Sequence, residues 1–283
     1  MTAGTHNTEA YPHDVGFGGF PYVQTQDQPL WEQLNRGIRF LDLRCCCQDG
    51  ELYNYHGSYF YLSDFQVDVQ VPLKVFLLSN PSEFVIVSVK VAHSCKHHNC
   101  PKGFEWHLID QLDKQIWYTD KKNMPTVGQV RGKAVLFRRF KGTKGLGFLS
   151  SRGTGWPHNA NNTIIGPNYN IFVQDHYDLK DDGTLPQKFE RKADMVLRTM
   201  RSSVGVSIMQ VQRPKTPVLF INFASAIVPF MHLTTPYDVA AGWIGNESMG
   251  IIVFDFPFSH YATRHGWRKM EQIIQKLIKL NGI

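Results

Sequence analysis

The sequence predicts an α/β fold in which a mainly parallel sheet closes into a barrel, built as one domain over residues 1–283. Three observations lead there. Apolar runs of strand length alternate with segments of helical periodicity. No fixed-period repeat, low-complexity block or Pro/Gly/Ser linker divides the chain. Strand after strand also ends in an ionisable residue on one face. Strands alternating with helices give parallel neighbours, and 283 residues suffice for a closed barrel. With 42% hydrophobic and 19% charged residues, the chain can bury a core, which excludes a linker, a collagen or a disulfide miniprotein. No run approaches the roughly 18 consecutive apolar residues of a spanning helix, and the N-terminal stretch lacks a basic-then-apolar leader pattern. A soluble chain without a transmembrane segment is therefore expected. The net charge of +6 favours anionic partners without choosing among them.

Strands are expected over 37–44, 52–56, 84–90, 134–140, 171–175, 218–223 and 250–256. Helical spacing groups Phe189, Ala193, Val196 and Met200, and again Met270, Ile273, Ile274, Leu277 and Ile278. Residues two apart on a strand share a face, so Phe40, Asp42 and Arg44 point one way while Leu41 and Leu43 point the other. The same reading groups Ile86, Ser88 and Lys90; Val135, Phe137 and Arg139; Ile171, Val173 and Asp175; and Ile251, Val253 and Asp255. Each face ends in a charge. Burying a charge is costly unless it is paired or used, and in a parallel barrel these ends converge at the mouth. With His56 at the end of its own short strand, the set suits an anionic, hydroxyl-rich substrate.

Cleaving a phosphodiester requires a base for the attacking hydroxyl, an acid for the leaving oxygen and positive charge for the phosphoryl oxygens. His6, His56 and Arg44 can fill those roles without a metal. Six blocks bear on this: Ala3-Gly4-Thr5-His6-Asn7-Thr8, Gly37 to Arg44, Tyr55-His56-Gly57, Asn80-Pro81-Ser82-Glu83 running into Ser88-Val89-Lys90, Val173 to Tyr177, and Phe220 to Phe223 with Val253-Phe254-Asp255. In this order they resemble the X-domain family of phosphatidylinositol-specific phospholipase C, in its bacterial, single-domain, calcium-independent branch. The resemblance covers nearly the whole chain.

The resemblance implies an irregular TIM-type barrel and a lyase-type phosphodiester cleavage that gives diacylglycerol and inositol 1,2-cyclic phosphate. His6 would be the general base for the inositol 2-hydroxyl, with Asp255 fixing its tautomer. His56 would be the general acid for the diacylglycerol oxygen. Arg44 would neutralise the phosphate and Asp42 would orient that arginine. Lys90, Arg139, Asp175 and Tyr177 match positions that hold the inositol ring. Asn7 stands where the bacterial pattern has Asp, and is expected to hydrogen-bond His56 without stabilising an imidazolium as a carboxylate would. Calcium-dependent members carry a carboxylate where this chain has Arg44, so a metal-free reaction with no cofactor is expected. His6 lies five residues from Met1, so a short or irregular first strand is expected, and the chain reads as a candidate fragment of a longer secreted protein.

The expected partner is phosphatidylinositol or a glycosyl-phosphatidylinositol at a membrane surface, met by a monomer bound peripherally, with no nucleic acid. Secretion is favoured if an N-terminal segment is missing. Phe17, Phe20, Tyr22, Phe148, Trp156, Phe230, Met231 and Trp243 are candidates for interfacial docking, as is the stretch Trp267-Arg268-Lys269. The alternatives are a metal-dependent phosphodiesterase on the same barrel and a non-catalytic inositol-lipid binding module. The run Cys95 to Cys100 reads as a loop or a local disulfide: its Cys and His lie closer than in zinc-finger halves, and no second ligand pair follows. Gly142 to Gly147 lacks the full P-loop pattern and reads as a flexible loop. Asn161 and Asn246 head two N-x-S/T acceptors.

Overall fold

The computed structural model describes residues 2–11, 24–26, 28–57, 59–93, 95–96, 98–120, 122–147, 156–165, 168–179, 183–212, 216–228, 231–234 and 251–254. Its first elements are β1 (Thr2–Thr5), α1 (Leu30–Asn35), β2 (Ile38–Gln48), β3 (Glu51–His56), β4 (Tyr59–Asp64), a π-helical stretch (Phe65–Gln70), α2 (Val71–Ser79), β5 (Phe84–Val91) and α3 (Phe104–Gln111). Then come β6 (Trp117–Tyr118), α4 (Val127–Val130), β7 (Lys133–Arg139), β8 (Leu146–Gly147), β9 (Ala160–Ile165), β10 (Asn170–Asp175), α5 (Leu185–Gln212), β11 (Val218–Phe223), β12 (Ser225–Val228), β13 (Met231–Thr234) and β14 (Ile251–Phe254).

Among the described residues, twelve strands join one curled sheet in the order β6-β7-β5-β2-β1-β14-β11-β10-β9, with β8 also on β7 and the β3–β4 hairpin hung from β2. The long path is parallel except for β9, which runs antiparallel to β10. This is an irregular (β/α) barrel. All seven strands expected from the sequence are present, although 250 and 255–256 of the last lie outside the described residues. The short first strand is also there, as β1. Its register on β2 shifts between Ala3 and Gly4, and a Cβ at Gly4 would sit 2.9 Å from Phe40, so β1 can approach β2 this closely only through glycine.

The two strand faces bury against different partners. Phe40, Val135, Phe137, Ile171, Val173, Ile221, Phe223, Ile251 and Val253 form the interior core. Leu41, Leu43, Val85, Val87, Val89, Ala134 and Leu136 pack outward with Leu30, Leu34, Leu73 and Leu77 of α1 and α2. Alternation therefore assigned each residue to its correct side. In α5, Ala193, Val196 and Met200 are buried at the expected spacing. The second helical pattern, Met270 to Ile278, lies outside the described residues.

Three local expectations need correction. Cys95 and Cys100 do not pair with each other: the disulfides are Cys46–Cys95 and Cys47–Cys100, while Cys45 is a buried free thiol. Successive residues of β2 face opposite ways, so the two bonds fasten the 95–100 loop from both sides of the strand. Cys47, Cys100 and His107 lie together, but their two sulfurs are already bonded to each other and leave one good ligand for a metal. The Gly142 to Gly147 stretch is an ordered turn ending in β8, and its Thr143 and Lys144 N–H groups, the kind that would cradle a phosphate, are taken by the Glu105 carboxylate. Trp156 is buried rather than presented to a membrane. Phe17, Phe20, Tyr22, Phe148, Phe230, Trp243 and Trp267 lie outside the described residues, as does Asn246; Met231 lies in β13. Asn161 is exposed on β9.

The cross-links close loops with sequence separations of 49 and 53 residues. Replacing Cys47 and Cys100 together by Ser is expected to cost about 2–4 kcal/mol, read as a lower denaturation midpoint in non-reducing buffer. An unchanged midpoint would show that this cross-link adds nothing.

Candidate active site

Register places the functional side chains in layers. Phe40, Ile86 and Val135 align across β2, β5 and β7; one step along, Asp42 aligns with Ser88 and Phe137; at the mouth, Arg44 aligns with Lys90 and Arg139. Three cations thus stand side by side on one face. What makes this tolerable is Asp42, with no exposure to water, one layer below them. Its Oδ1 accepts from Arg139 Nη1 at 2.7 Å and from Ser88 Oγ at 3.3 Å, and its Oδ2 lies 3.9 Å from Arg44 Nη2. Asp42 thus grips Arg139 more tightly than the Arg44 it was expected to orient. Burial alone would raise the Asp42 carboxyl, but Arg139 and Arg44 outweigh it and hold the group below its ordinary range. Burial, followed by repulsion from Arg139 and Arg44, lowers the Lys90 ammonium to about 8.

The loop after β1 carries His6 over this layer. Thr8 N donates to the Asp42 carbonyl at 2.9 Å, and Asp42 N donates to Thr8 Oγ1 at 3.0 Å, so the loop is tied to the strand bearing the carboxylate. Thr25 and Gln26 donate to the His6 carbonyl from the other side. His6 Nε2 lies 2.6 Å from Arg44 Nη2. A guanidinium only donates, so Nε2 accepts and the ring proton of a neutral His6 belongs on Nδ1. His56, last residue of β3, faces His6 nearly edge-on with ring centroids 6.0 Å apart. Two imidazoles and a guanidinium thus lie together at one end of the barrel. Beside them is Asn7, at φ 43° and 3% exposed, whose side-chain amide has neither atom hydrogen-bonded among the described residues.

Across the mouth, Asp175 ends β10 and accepts from Trp156 Nε1 at 2.6 Å. The Arg139 guanidinium stacks 3.4 Å above the Trp156 ring, which also packs on Phe137 and Phe223. Trp156 therefore plugs the barrel just under the cationic row and ties Arg139 to Asp175. Tyr177 follows two residues on. Burial raises its hydroxyl, the Asp175 charge adds to that, and Arg44 opposes it.

Of the expected site residues, the structure brings His6, Asn7, Asp42, Arg44, His56, Lys90 and Arg139 to one end of the barrel, with Asp175 at the end of β10 and Tyr177 two residues beyond it. Asp255 lies outside the described residues. Sequence reasoning missed Trp156 as a wall of the site, Tyr61, whose buried hydroxyl feels Arg44, and Lys192. Lys192 is 1% exposed and donates to Gln174 Oε1 at 3.1 Å and the His176 carbonyl at 2.8 Å, supporting the turn that carries Asp175 and Tyr177. A signal for Lys192 was available, since it is a lone charge inside the apolar stripe of α5. For Trp156, in a Gly-Trp-Pro stretch without periodicity, none was.

Asp42→Ala would leave Arg139 buried without its carboxylate. The expected cost is about 3–5 kcal/mol in a urea or thermal melt, and a loss below 1 kcal/mol would mean that the pair holds nothing together.

Comparisons with known proteins bear on the same site. Residues 14–140 match the family model for phosphatidylinositol-specific phospholipase C, X domain. The chain is 28% identical over 275 residues to a Staphylococcus aureus 1-phosphatidylinositol phosphodiesterase, covering 92% of this chain and 82% of that protein. It is 31% identical over 175 residues to the Listeria monocytogenes protein of the same name, covering 59% of this chain and 52% of the relative, about half of its length. A solved structure of the S. aureus phosphatidylinositol-specific phospholipase C superposes with a TM-score of 0.74 at 21% identity, covering 96% of this chain and 90% of that one, a likeness of fold. With the motif order, the barrel and these relatives in agreement, the chain is similar to the X-domain family of phosphatidylinositol-specific phospholipase C.

Proposed function

We propose that this chain, acting as a single catalytic domain over 1–283, cleaves phosphatidylinositol or a glycosyl-phosphatidylinositol by attack of the inositol 2-hydroxyl on phosphorus. The observation that carries the reading is the contact of Arg44 with His6 beside a second imidazole, His56, 6.0 Å away. His6 Nε2, already an acceptor, takes the 2-hydroxyl proton as the oxygen bonds to phosphorus. His56 protonates the diacylglycerol oxygen as its bond to phosphorus breaks. Arg44 neutralises the charge that builds on the phosphoryl oxygens, with Asp42 and Arg139 fixing the layer beneath it. The products are diacylglycerol and inositol 1,2-cyclic phosphate.

Lys90, Arg139, Asp175 and Tyr177 bind the inositol hydroxyls in this reading, and the unpartnered Asn7 amide is a group that bound substrate would satisfy. Asp255 would hold the Nδ1 proton of His6. A metal is not required, because Arg44 supplies positive charge at the phosphate and would repel a cation from that spot. We place the protein as a monomer at a membrane surface. No described helix is long and apolar enough to cross a membrane, and two disulfides fit an oxidising, secretory compartment.

Release of cyclic inositol phosphate from phosphatidylinositol micelles is expected to persist in EDTA. His56→Ala and His6→Ala are each expected to lower kcat by about 10²–10⁴-fold. Abolition by EDTA would point to a metal-dependent phosphodiesterase, and absence of turnover in the parent, with lipid binding kept in both variants, to a binding module. Because the Lys90 ammonium loses its proton as pH rises through about 8, KM for phosphatidylinositol should climb above that pH. Lys90→Arg, which stays charged, should move the climb to higher pH; coincident KM–pH curves would remove Lys90 from substrate binding.

A further inference from the structure

Glu9 lies three residues beyond His6 and has no part in the mechanism above, yet it is buried, at 3% exposed. Its carboxyl opens a chain of hydrogen bonds across three elements. Ser63 Oγ of β4 donates to Glu9 Oε2 at 3.3 Å, Asn54 Nδ2 of β3 donates to Ser63 Oγ at 2.8 Å, and the Cys45 thiol of β2 donates to Asn54 Oδ1 at 3.4 Å. Glu9 Oε1 is buried with no hydrogen bond among the described residues.

The local backbone is shaped to make this chain. The register of β3 on β4 shifts between Tyr53 and Tyr55, and opposite that shift Leu62 takes φ 54° and turns outward while Ser63 turns fully inward. A bulge that exposes a leucine and buries a serine re-aims one side chain at the cost of apolar burial. Asn54 lies on the same face of β3 as His56, two residues before it, and both are buried. The chain thus joins the loop that carries His6, through β4, to the strand that carries His56 and ends on β2.

We propose that Glu9 is a positioning residue which, through Ser63 and Asn54, locks the strand of His56 against the loop of His6 and so sets the spacing of the two imidazoles. The inference rests on the two-histidine reading above. Protonation of Glu9 belongs to the lock. The groups facing its carboxyl are Ser63 of β4, Asn54 of β3, Cys45 of β2 and, as the nearby charge, Asp68 of the π-helical stretch. Burial foremost, then Asp68, pushes the carboxyl well above its ordinary range, and the bond from Ser63 opposes them only in part. The Cys45 thiol is raised by burial as well, and then by Glu9 and Asp42, so it stays a donor. For an acid whose folded pKa is raised, the stabilising contribution is complete below the unfolded value and is lost as pH rises through the folded value. Ionisation on the alkaline side would then place a charge beside Asp68 and strain the chain.

The test compares kcat, KM and melting temperature from pH 5 to 9 for the parent, Glu9→Gln, Glu9→Ala and Ser63→Ala, with His6→Ala and His56→Ala alongside. Glu9→Gln, near-isosteric and unable to ionise, is expected to keep kcat within about threefold and to lose the alkaline fall in melting temperature that the parent shows. Glu9→Ala is expected to lower kcat about tenfold or more with KM within about twofold, because misplaced catalytic groups cost rate rather than binding. If Glu9→Ala does not fold by circular dichroism, Ser63→Ala carries the same kcat test. Parental kcat in the folded variant, or coincident melting curves for parent and Glu9→Gln, would overturn the proposal. Full turnover in both histidine variants would instead sink the catalytic reading, while the melting curves would still report on Glu9.

Discussion

A carboxylate sealed from water and held by guanidiniums at the barrel mouth is the contact on which the site depends. Three cations on neighbouring strands would repel one another, and that repulsion adds to burial, the larger cause, in depressing the Lys90 ammonium. Asp42, one layer down, offsets this by bonding Arg139 directly and drawing on Arg44 at longer range. Breaking such a buried pair from one side is costly even where the intact pair adds little net stability. The arrangement leaves the positive charge of Arg44 directed at the gap beside His6 and His56 rather than neutralised where it stands.

The same contact organises its surroundings. Thr8 binds the backbone of Asp42 from the loop of His6, and Arg139 lies on Trp156, which in turn holds Asp175. His6, Arg44 and Trp156 are therefore all fastened, within two contacts, to one carboxylate. Beyond the mouth, β2 continues past Arg44 through Cys46 and Cys47, where the disulfides fix the 95–100 loop against the strand. His56 depends on a different support, the β3–β4 hairpin, whose bulge faces Ser63 toward Glu9. The relative placement of the two imidazoles thus depends on two sets of contacts that meet at the loop after β1.

Much of this was legible in the chain itself. Strict alternation in β2, β5, β7 and β10 sorted interior from exterior residues, because period two leaves a strand no other way to bury an apolar face. It also showed that Asp42, Arg44, Lys90, Arg139 and Asp175 face inward, and motif order gave the resemblance to a family. His56 was legible as the end of its own strand. Asn7 could be named but not its state: that its amide is buried without a hydrogen bond among the described residues is a matter of tertiary packing.

What the chain did not disclose are contacts between segments far apart in sequence, with no local pattern to report them. Cysteine spacing suggested a bond within the 95–100 loop, but β2 passes close enough to take both sulfurs, and proximity in space decides which bonds form. Trp156 looked like an exposed aromatic until the curvature of the sheet placed Arg139 and Asp175 on either side of it. Glu9 carried no signal in the chain, and its partner Ser63 faces it only because of the Leu62 bulge. By itself the sequence determined which residues face the barrel interior and the family they resemble, because alternation and motif order are local properties of the chain. Only the tertiary structure decided the partners of Asp42, Trp156 and Glu9, because strand register and sheet curvature set those distances and no single segment encodes either.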